Sequence, residues 1–177
     1  HPNYTKGIET LAAAYRDNNQ PFEALAAYDR LLALNPDDRE ALRRRIFITA
    51  RMGAAPRALD MARSHPGLLA ESEMDTLTSD AAAKYLHWKD LYHPQPLARF
   101  EDIDHGIVML TDMVNRLEKR GDGYTPLARR ARFDLIVAFR DRNQPQQAVA
   151  LYEAQNADKA AITEYDAQEA ADASGSF

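Results

Sequence analysis

The chain has 177 residues, of which 45% are hydrophobic, 28% are charged and only 7 are glycine, and its formal net charge is −5. This composition is typical of a soluble, mostly helical protein that is large enough to bury a substantial core. The sequence has no cysteine, which excludes a disulfide framework and a zinc ribbon. No stretch approaches the roughly 20 consecutive apolar residues of a membrane helix, and residues 1–20 lack the layout of a signal peptide.

The segment that ends at Pro36 carries the strongest pattern in the chain. Apolar residues recur there at intervals of three and four in two successive stretches: Ile8, Leu11, Ala12 and Tyr15, then Ala24, Leu25, Tyr28 and Leu31. Each set shares one face of a helix, and the small Ala12 and Ala24 predict where the two helices approach most closely. Asn18-Asn19-Gln20-Pro21 predicts the turn between them. A helical pair with this pattern, here at about residues 5–38, is typical of a tetratricopeptide repeat.

Two further copies of this unit are predicted. A degraded copy at about residues 39–66 has small or apolar residues at matching positions, namely Leu42, Ile46, Gly53 and Ala58, but it has Arg45 where the first copy has Leu11. In a third copy, at about residues 129–157, the segment from Arg140 to Pro145 mirrors the segment from Arg16 to Pro21. The helix contacts predicted for this third copy are Leu135, Ile136, Phe139, Ala148 and Tyr152.

The middle of the chain departs from the repeat and predicts two longer, irregular helices. The first, at about residues 71–92, begins with Ser72-x-x-Asp75, which resembles a capping box, and has one side formed by Met74, Leu77, Ala81, Tyr85, Trp88 and Tyr92. The stiff segment 93–96 contains two prolines and predicts a linker. The second helix, at about residues 97–119, has a buried stripe of Phe100, Ile103, Ile107, Leu110, Met113 and Leu117, and ends at Gly121-Asp122-Gly123.

Together these elements predict an all-α fold, a tetratricopeptide-type α-α superhelix or solenoid with two longer irregular helices in its middle. We expect a single helical-repeat domain over residues 1–177. A final helix at about residues 162–173 has few apolar residues and is interpreted as the first helix of a truncated repeat, since a repeat needs a stacked neighbour. Because the chain begins and ends abruptly, we expect it to be a piece of a longer protein.

Clusters of arginine raise the question of nucleic-acid binding. They are Arg43-Arg44-Arg45 with Arg51 and Arg57, and further on Arg129, Arg130 and Arg132. Such a run is compatible with a phosphate-binding surface, but no glycine-rich loop, stacking aromatic set or recognition motif accompanies it, and acidic residues lie close by. We therefore interpret the arginines as a solvated or ion-paired face and expect no nucleic-acid partner.

The sequence offers no catalytic or metal-binding pattern. The histidines do not pair at helical spacing with a third ligand, so no metal site is predicted. There is no Gly-x-Ser-x-Gly elbow, no phosphate loop and no cysteine nucleophile. Neighbouring carboxylates such as Glu71 and Glu73 are compatible with glycosidase chemistry only if two of them face one cleft, and helical surfaces produce such pairs often. We expect no enzyme activity and no cofactor.

The chain also resembles a particular family over most of residues 4–170. The residues that carry this resemblance are Tyr85, Leu86 and Trp88, then Arg99-Phe100-Glu101-Asp102-Ile103-Asp104, the helix that ends Met113 to Leu117, and the segments Phe133–Ile136 and Gln147–Tyr152. They are similar to the periplasmic repeat domain of the poly-β-1,6-N-acetylglucosamine export porin, the PgaA family. The resemblance implies a periplasmic location, with the parent chain tethered to the outer membrane by a β-barrel that this sequence lacks.

What the resemblance implies for function is a scaffold of exopolysaccharide export during biofilm formation. It would bind partially deacetylated poly-β-1,6-N-acetylglucosamine and dock the periplasmic deacetylase that processes this polymer. A concave surface lined by the first helix of each pair would offer carboxylates to ammonium groups and aromatic faces to sugar rings. In this sequence those helices contribute Glu9, Arg16, Asp17, Glu40, Arg43, Phe47, Arg130, Phe133 and Asp141.

Two alternatives remain open at this point. Tyr85, Trp88 and Tyr92 fall at helical spacing, so they either stack on sugars or belong to the core. The whole chain is also compatible with an ordinary tetratricopeptide docking module, one that binds a peptide or a partner helix in its concave groove.

Overall fold

Eight helices make up 82% of the residues that this computed structural model describes, which are 2–86 and 100–157. No strand occurs within those two ranges, so the all-α prediction is confirmed. The helices are α1 Pro2–Asp17, α2 Pro21–Leu34, α3 Arg39–Arg51, α4 Ala55–Arg63, α5 Glu71–Leu86, α6 Phe100–Arg120, α7 Pro126–Asp141 and α8 Pro145–Ala157. The chain divides into two compact units between Ala81 and Ala82, within α5. The single-domain prediction stays a prediction.

In the first unit, each helix packs on the next from α1 to α4. The core of the first pair consists of Ile8, Ala12, Ala24, Ala27, Tyr28 and Leu31, to which α3 adds Ala41 and Ile48. Ala12 and Ala24 are both 0% exposed, as expected for two residues at the point where helices meet. Tyr15 and Leu25 pack against this cluster from its edge. The small residues therefore allow the close approach, and the larger ones fill the space around it.

The turns between paired helices share one geometry. Asn19 and Asn143 both adopt the left-handed conformation, with φ of 55° and 56°. In each turn the following amide nitrogen donates to the carbonyl oxygen five residues earlier, at 2.8 Å. Gly53, with φ of 88°, occupies the same place between α3 and α4, where the corresponding hydrogen bond is 3.2 Å long. This is a common way to end a helix, and its recurrence supports the sequence similarity of the three pairs.

The second unit contains α6, which packs on α7, and α7, which packs on α8. The stripe predicted for α6 is mostly buried, at Ile103, Leu110, Met113 and Leu117, while Ile107 is half-buried. The helix ends as predicted, since Gly121 has a φ of 86° and Asp122 donates back to Leu117. At its other end α6 approaches α5 so closely that a Cβ at Gly106 would lie 2.7 Å from Leu86 Cδ2.

The capping box predicted at the start of α5 is wrong. The helix begins at Glu71, and the Glu73 side chain accepts a hydrogen bond from the Ala70 amide at 3.0 Å. Ser72 and Asp75 therefore lie inside the helix, and Asp75 is only 2% exposed. The acidic residue that reaches back to a free amide is the one at the third helical position, which is Glu73 and not Asp75.

Two residues predicted to form helix contacts are exposed instead. Leu11 is 40% exposed, because α1 packs on α2 within the described residues and no described helix covers its other side. Tyr152 is 59% exposed. In α8 the more buried positions are Ala148, Leu151, Gln155 and Asn156, and the contact with α7 is centred on Ala148 and Leu151, so Tyr152 lies at its edge.

Several predictions fall outside the described residues. These are the side chains of Trp88 and Tyr92, the linker at 93–96, the start of the second long helix at 97–99 and the final helix at 162–173. Within the described ranges, no helix is both long enough and apolar enough to cross a membrane.

Replacing Ala24 by leucine tests the close approach of α1 and α2. We expect Ala24→Leu to lower the free energy of unfolding by about 1–3 kcal/mol, because the extra methyl groups have no space between the helices. Ala26→Leu is the matched control, since Ala26 lies on the same helix but is exposed and should change stability by less than about 0.5 kcal/mol. Urea unfolding followed by circular dichroism measures both, and equal effects of the two substitutions would contradict the packing.

Candidate functional site

A groove lies between the first helices of the first two pairs, α1 and α3, and α2 forms its floor. We call it the α1–α3 groove. It encloses a cavity of about 190 Å³ lined by Glu9, Arg16, Tyr28, Leu31, Asp38, Glu40, Ala41 and Arg44. Three residues predicted for the concave surface, Glu9, Arg16 and Glu40, are thus brought together. Asp17, a fourth, lies beside Arg16 at the end of α1 and is exposed.

The charges of the α1–α3 groove are mostly paired within the protein. Arg16 contacts Asp17 at 2.9 Å, and Arg44 contacts Glu40 at 2.6 Å. The hydrogen bond with Asp17 raises the pKa of Arg16, with a further electrostatic contribution from Asp17 and Tyr28. Both guanidinium groups are therefore held by nearby carboxylates.

Two further carboxylates border the same cavity. The Asp38 side chain accepts a hydrogen bond from the Ala41 amide at 3.0 Å and so caps α3. Glu9 is exposed and forms no hydrogen bond or ion pair with any residue in the described ranges. Since three carboxylates and two guanidinium groups line the cavity, it carries an excess of negative charge. Glu9 is the carboxylate that remains available to a ligand.

A second groove, the α3–α5 groove, lies between α3, the first helix of the second pair, and α5, the helix that follows this pair. Its cavity of about 350 Å³ is lined by Phe47, Ala50, Arg51, Ser72, Glu73, Thr76, Leu77 and Asp80. At one end Arg43 forms an ion pair with Glu73 and also lies over the Phe47 ring, 5.1 Å from its centroid. Arg43 and Phe47, both predicted for the concave surface, therefore meet at this cavity, where the guanidinium covers part of the aromatic face.

The second wall of this groove, on α5, was not predicted from the sequence. Ser72, Thr76 and Asp80 belong to α5, which the sequence indicated only as an irregular helix. The available signal was the spacing, because α5 begins about one repeat length after α3 at Arg39. Read as the first helix of another pair, α5 would have been expected to line the same surface as α1 and α3.

The remaining predicted residues belong to the second unit. Arg130 and Phe133 lie on the exposed face of α7, and the Phe133 side chain is 62% exposed. Asp141 forms an ion pair with Arg140 at 2.9 Å, as Asp17 does with Arg16 in the first copy. Tyr85 is half-buried and contacts His105 edge to face, with ring centroids 4.8 Å apart. This is the only member of the predicted aromatic stripe that lies in the described ranges, and its ring packs within the protein.

The arginine-rich surface of α3 is largely engaged by the protein itself. Arg45 pairs with Asp29 on α2 at 2.5 Å, and Arg39 donates to the Gly67 carbonyl at 2.6 Å. With the ion pair of Arg43 and Glu73 described above, these contacts connect α3 to α2, to α5 and to the loop that follows α4, whereas the pair of Arg44 and Glu40 lies within α3. Arg43, Arg44 and Arg45 therefore belong to an ion-paired face, whereas Arg51 forms no ion pair with any residue of the described ranges.

Other features of the described residues add no chemical site. No group of three or more histidine, aspartate or glutamate side chains within them has the geometry to hold a metal ion. The buried Arg132 donates to Glu118 at 2.7 Å and to the Gly123 carbonyl, which fixes the loop between α6 and α7. No model of a known protein family matches the chain, and no curated protein matches it significantly.

A double-mutant cycle on Arg43→Met and Glu73→Gln tests the ion pair that closes the α3–α5 groove. We expect a coupling energy of about 0.5–1 kcal/mol, because both side chains are partly shielded from water. Glutamine keeps the oxygen that accepts from Ala70, so the cap of α5 should survive. The matched control is the more exposed pair of Arg44 and Glu40, where we expect about 0.3–0.5 kcal/mol. Denaturant unfolding measures both cycles, and a coupling no larger than in the control would contradict a shielded pair.

Proposed function

We propose that this chain is a non-catalytic binding scaffold, built as a tetratricopeptide-type superhelix, whose first helices line a surface that binds an extended ligand. The recurrence of one turn geometry in three helical pairs supports the repeat assignment. The two neighbouring grooves, one on each side of α3, support the binding surface. A row of shallow grooves on successive repeats suits a chain-like ligand better than a compact small molecule.

The ligand we propose is partially deacetylated poly-β-1,6-N-acetylglucosamine. The observation that carries this proposal is the excess of carboxylates in the α1–α3 groove, with Glu9 unpaired among the described residues. A deacetylated glucosamine unit carries an ammonium group, which an exposed carboxylate attracts. The cavity of about 190 Å³ is smaller than a usual small-molecule site of about 300–1,000 Å³, so it suits a single charged group rather than a whole sugar ring.

Weak individual contacts are part of this proposal. An exposed ion pair contributes only about 0–1 kcal/mol, so no single groove holds a polymer tightly. Several grooves that engage one chain add through effective concentration, and a polymer held in this way is still able to move along the surface. The binding would weaken as salt rises, because exposed charges are screened.

We further propose that the chain belongs to the PgaA family, acts in the periplasm and docks the deacetylase that processes the polymer. These proposals rest on the resemblance of residues 85–152 and on no contact in the structure. A specific observation favours the second candidate, a docking module for a peptide or helix. Phe133 on α7 and Val149 and Tyr152 on α8 are large apolar side chains with more than half of their surface exposed, and such side chains occur often at protein interfaces.

Titration with short β-1,6-linked glucosamine oligomers tests the proposed function. We expect the fully deacetylated tetramer to shift the amide resonances of Glu9, Glu40 and their neighbours, and the shifts to vanish at high salt. Glu9→Gln should weaken this binding by about two- to fivefold, the value of one exposed charge contact. Asp112→Asn is the control, because Asp112 is also exposed and without a described partner but lies on α6.

Two outcomes of this titration would contradict the proposed function. If the oligomer causes no salt-dependent shifts in the α1–α3 groove while an amphipathic peptide shifts resonances of α7 and α8, the docking module is the better account. Equal effects of Glu9→Gln and Asp112→Asn would also contradict the proposed role of Glu9.

A further inference from the structure

Two opposite charges at the far end of the α3–α5 groove, away from the Arg43–Glu73 ion pair, have no partner among the described residues. Arg51 on α3 and Asp80 on α5 both line the cavity, and both are exposed. Neither forms an ion pair or hydrogen bond with another residue of the described ranges. This is unusual on α3, where Arg43, Arg44 and Arg45 all pair with a carboxylate.

The positions of these two residues along their helices define the shape of the groove. The Arg43–Glu73 ion pair lies at one end. Arg51 lies eight residues further along α3, and Asp80 seven residues further along α5, which is about 10–12 Å at the rise of an α-helix. Between the two ends the cavity is lined by Phe47, Ala50 and Leu77, with the hydroxyl groups of Ser72 and Thr76 on the α5 side.

The chemistry of the far end of the α3–α5 groove suits a ligand that both accepts and donates hydrogen bonds. A guanidinium group only donates hydrogen bonds, and an ionised carboxylate only accepts them. A secondary amide has the matching pair, since its carbonyl oxygen accepts from Arg51 and its N–H donates to Asp80. A methyl group attached to that amide would need an apolar surface, and Ala50 and Leu77 line the same cavity.

The charge balance of the α3–α5 groove also separates it from the α1–α3 groove. Arg43 and Glu73 neutralise each other, and Arg51 and Asp80 together carry no net charge. A neutral ligand group is favoured there over a free ammonium, whereas the α1–α3 groove has an excess of carboxylates. The cavity volume of about 350 Å³ falls within the range of about 300–1,000 Å³ that accommodates small molecules, so it admits a sugar unit.

We propose that the α3–α5 groove is a subsite for the acetamido group of an N-acetylated amino sugar, held by Arg51 and Asp80. This inference rests on the proposed function and deepens it. The two grooves on either side of α3 then take different units of one polymer, the α1–α3 groove an amine and the α3–α5 groove an acetylated amine. A partly deacetylated polymer fills both grooves, and a polymer with only one kind of unit fills one of them.

The test compares three β-1,6-linked tetramers on the full chain by amide chemical shifts: fully acetylated glucosamine, fully deacetylated glucosamine, and glucose, which has no nitrogen. We expect the acetylated tetramer to shift Phe47, Thr76 and Asp80 in a way that salt does not abolish, and the glucose tetramer to leave these residues unchanged. Arg51→Met and Asp80→Ala should each weaken binding of the acetylated tetramer about fivefold, the effect of one ordinary hydrogen bond at an exposed position.

Arg57→Met and Asp112→Ala are the matched controls, because both residues are exposed and have no partner among the described residues. The subsite is overturned if the glucose tetramer binds as well as the acetylated one, if the acetylated tetramer leaves the α3–α5 groove unchanged, or if the variants behave like the controls. The subsite is also overturned if a peptide shifts the amide resonances of the α3–α5 groove and none of the three tetramers does so.

The outcomes also separate this inference from the proposed function. Binding of the deacetylated tetramer near Glu9, without any effect of the acetylated tetramer, would leave the proposed scaffold standing and remove the subsite. Binding of the acetylated tetramer through Arg51 and Asp80, without binding of the deacetylated one, would keep the subsite and remove the role of the α1–α3 groove.

Discussion

The close packing of two helices around a small residue is the constraint on which the rest of this structure depends. Ala24, Ala58 and Ala148 follow the turn at equivalent places in the three pairs, and all three are buried. A left-handed residue in each turn brings the second helix back onto the first. The proline that follows each of these turns suits the start of a helix. Each pair is thus specified locally, with few demands on distant residues.

The packing of each helical pair determines where the polar and charged side chains lie. The apolar faces of α1, α2 and α3 are used to pack the pairs, so the residues left at the edges of α1 and α3 are mainly charged. Where two first helices lie side by side, these edges form a groove. The α1–α3 groove is built from helices, and two of its carboxylates, Asp38 and Glu40, are held by the Ala41 amide and by Arg44 without a ligand. In the function proposed above, binding is then a property of these grooves and does not need a reactive group.

The elements of the fold were largely predictable from the sequence, because periodicity and turn residues are local signals. The turn at Asn19 and the burial of Ala12 and Ala24 both follow from them. The ion pair of Arg43 and Glu73 did not, since its partners are 30 residues apart and spacing within one helix carries no information about them. Leu11 and Tyr152 were misassigned because the pattern indicates an apolar face but not whether another helix covers it. For this reason only part of the candidate site was predicted from the sequence. The groove residues on α1 and α3 were predicted, and those on α5 were not.

A crystal structure of the chain bound to a partly deacetylated β-1,6-linked glucosamine tetramer tests the central claim most directly. The account predicts that the sugar lies along α3, with an ammonium group within hydrogen-bond distance of Glu9 in the α1–α3 groove. A sugar bound on another surface, or helical pairs whose first helices do not line a shared groove, would contradict it.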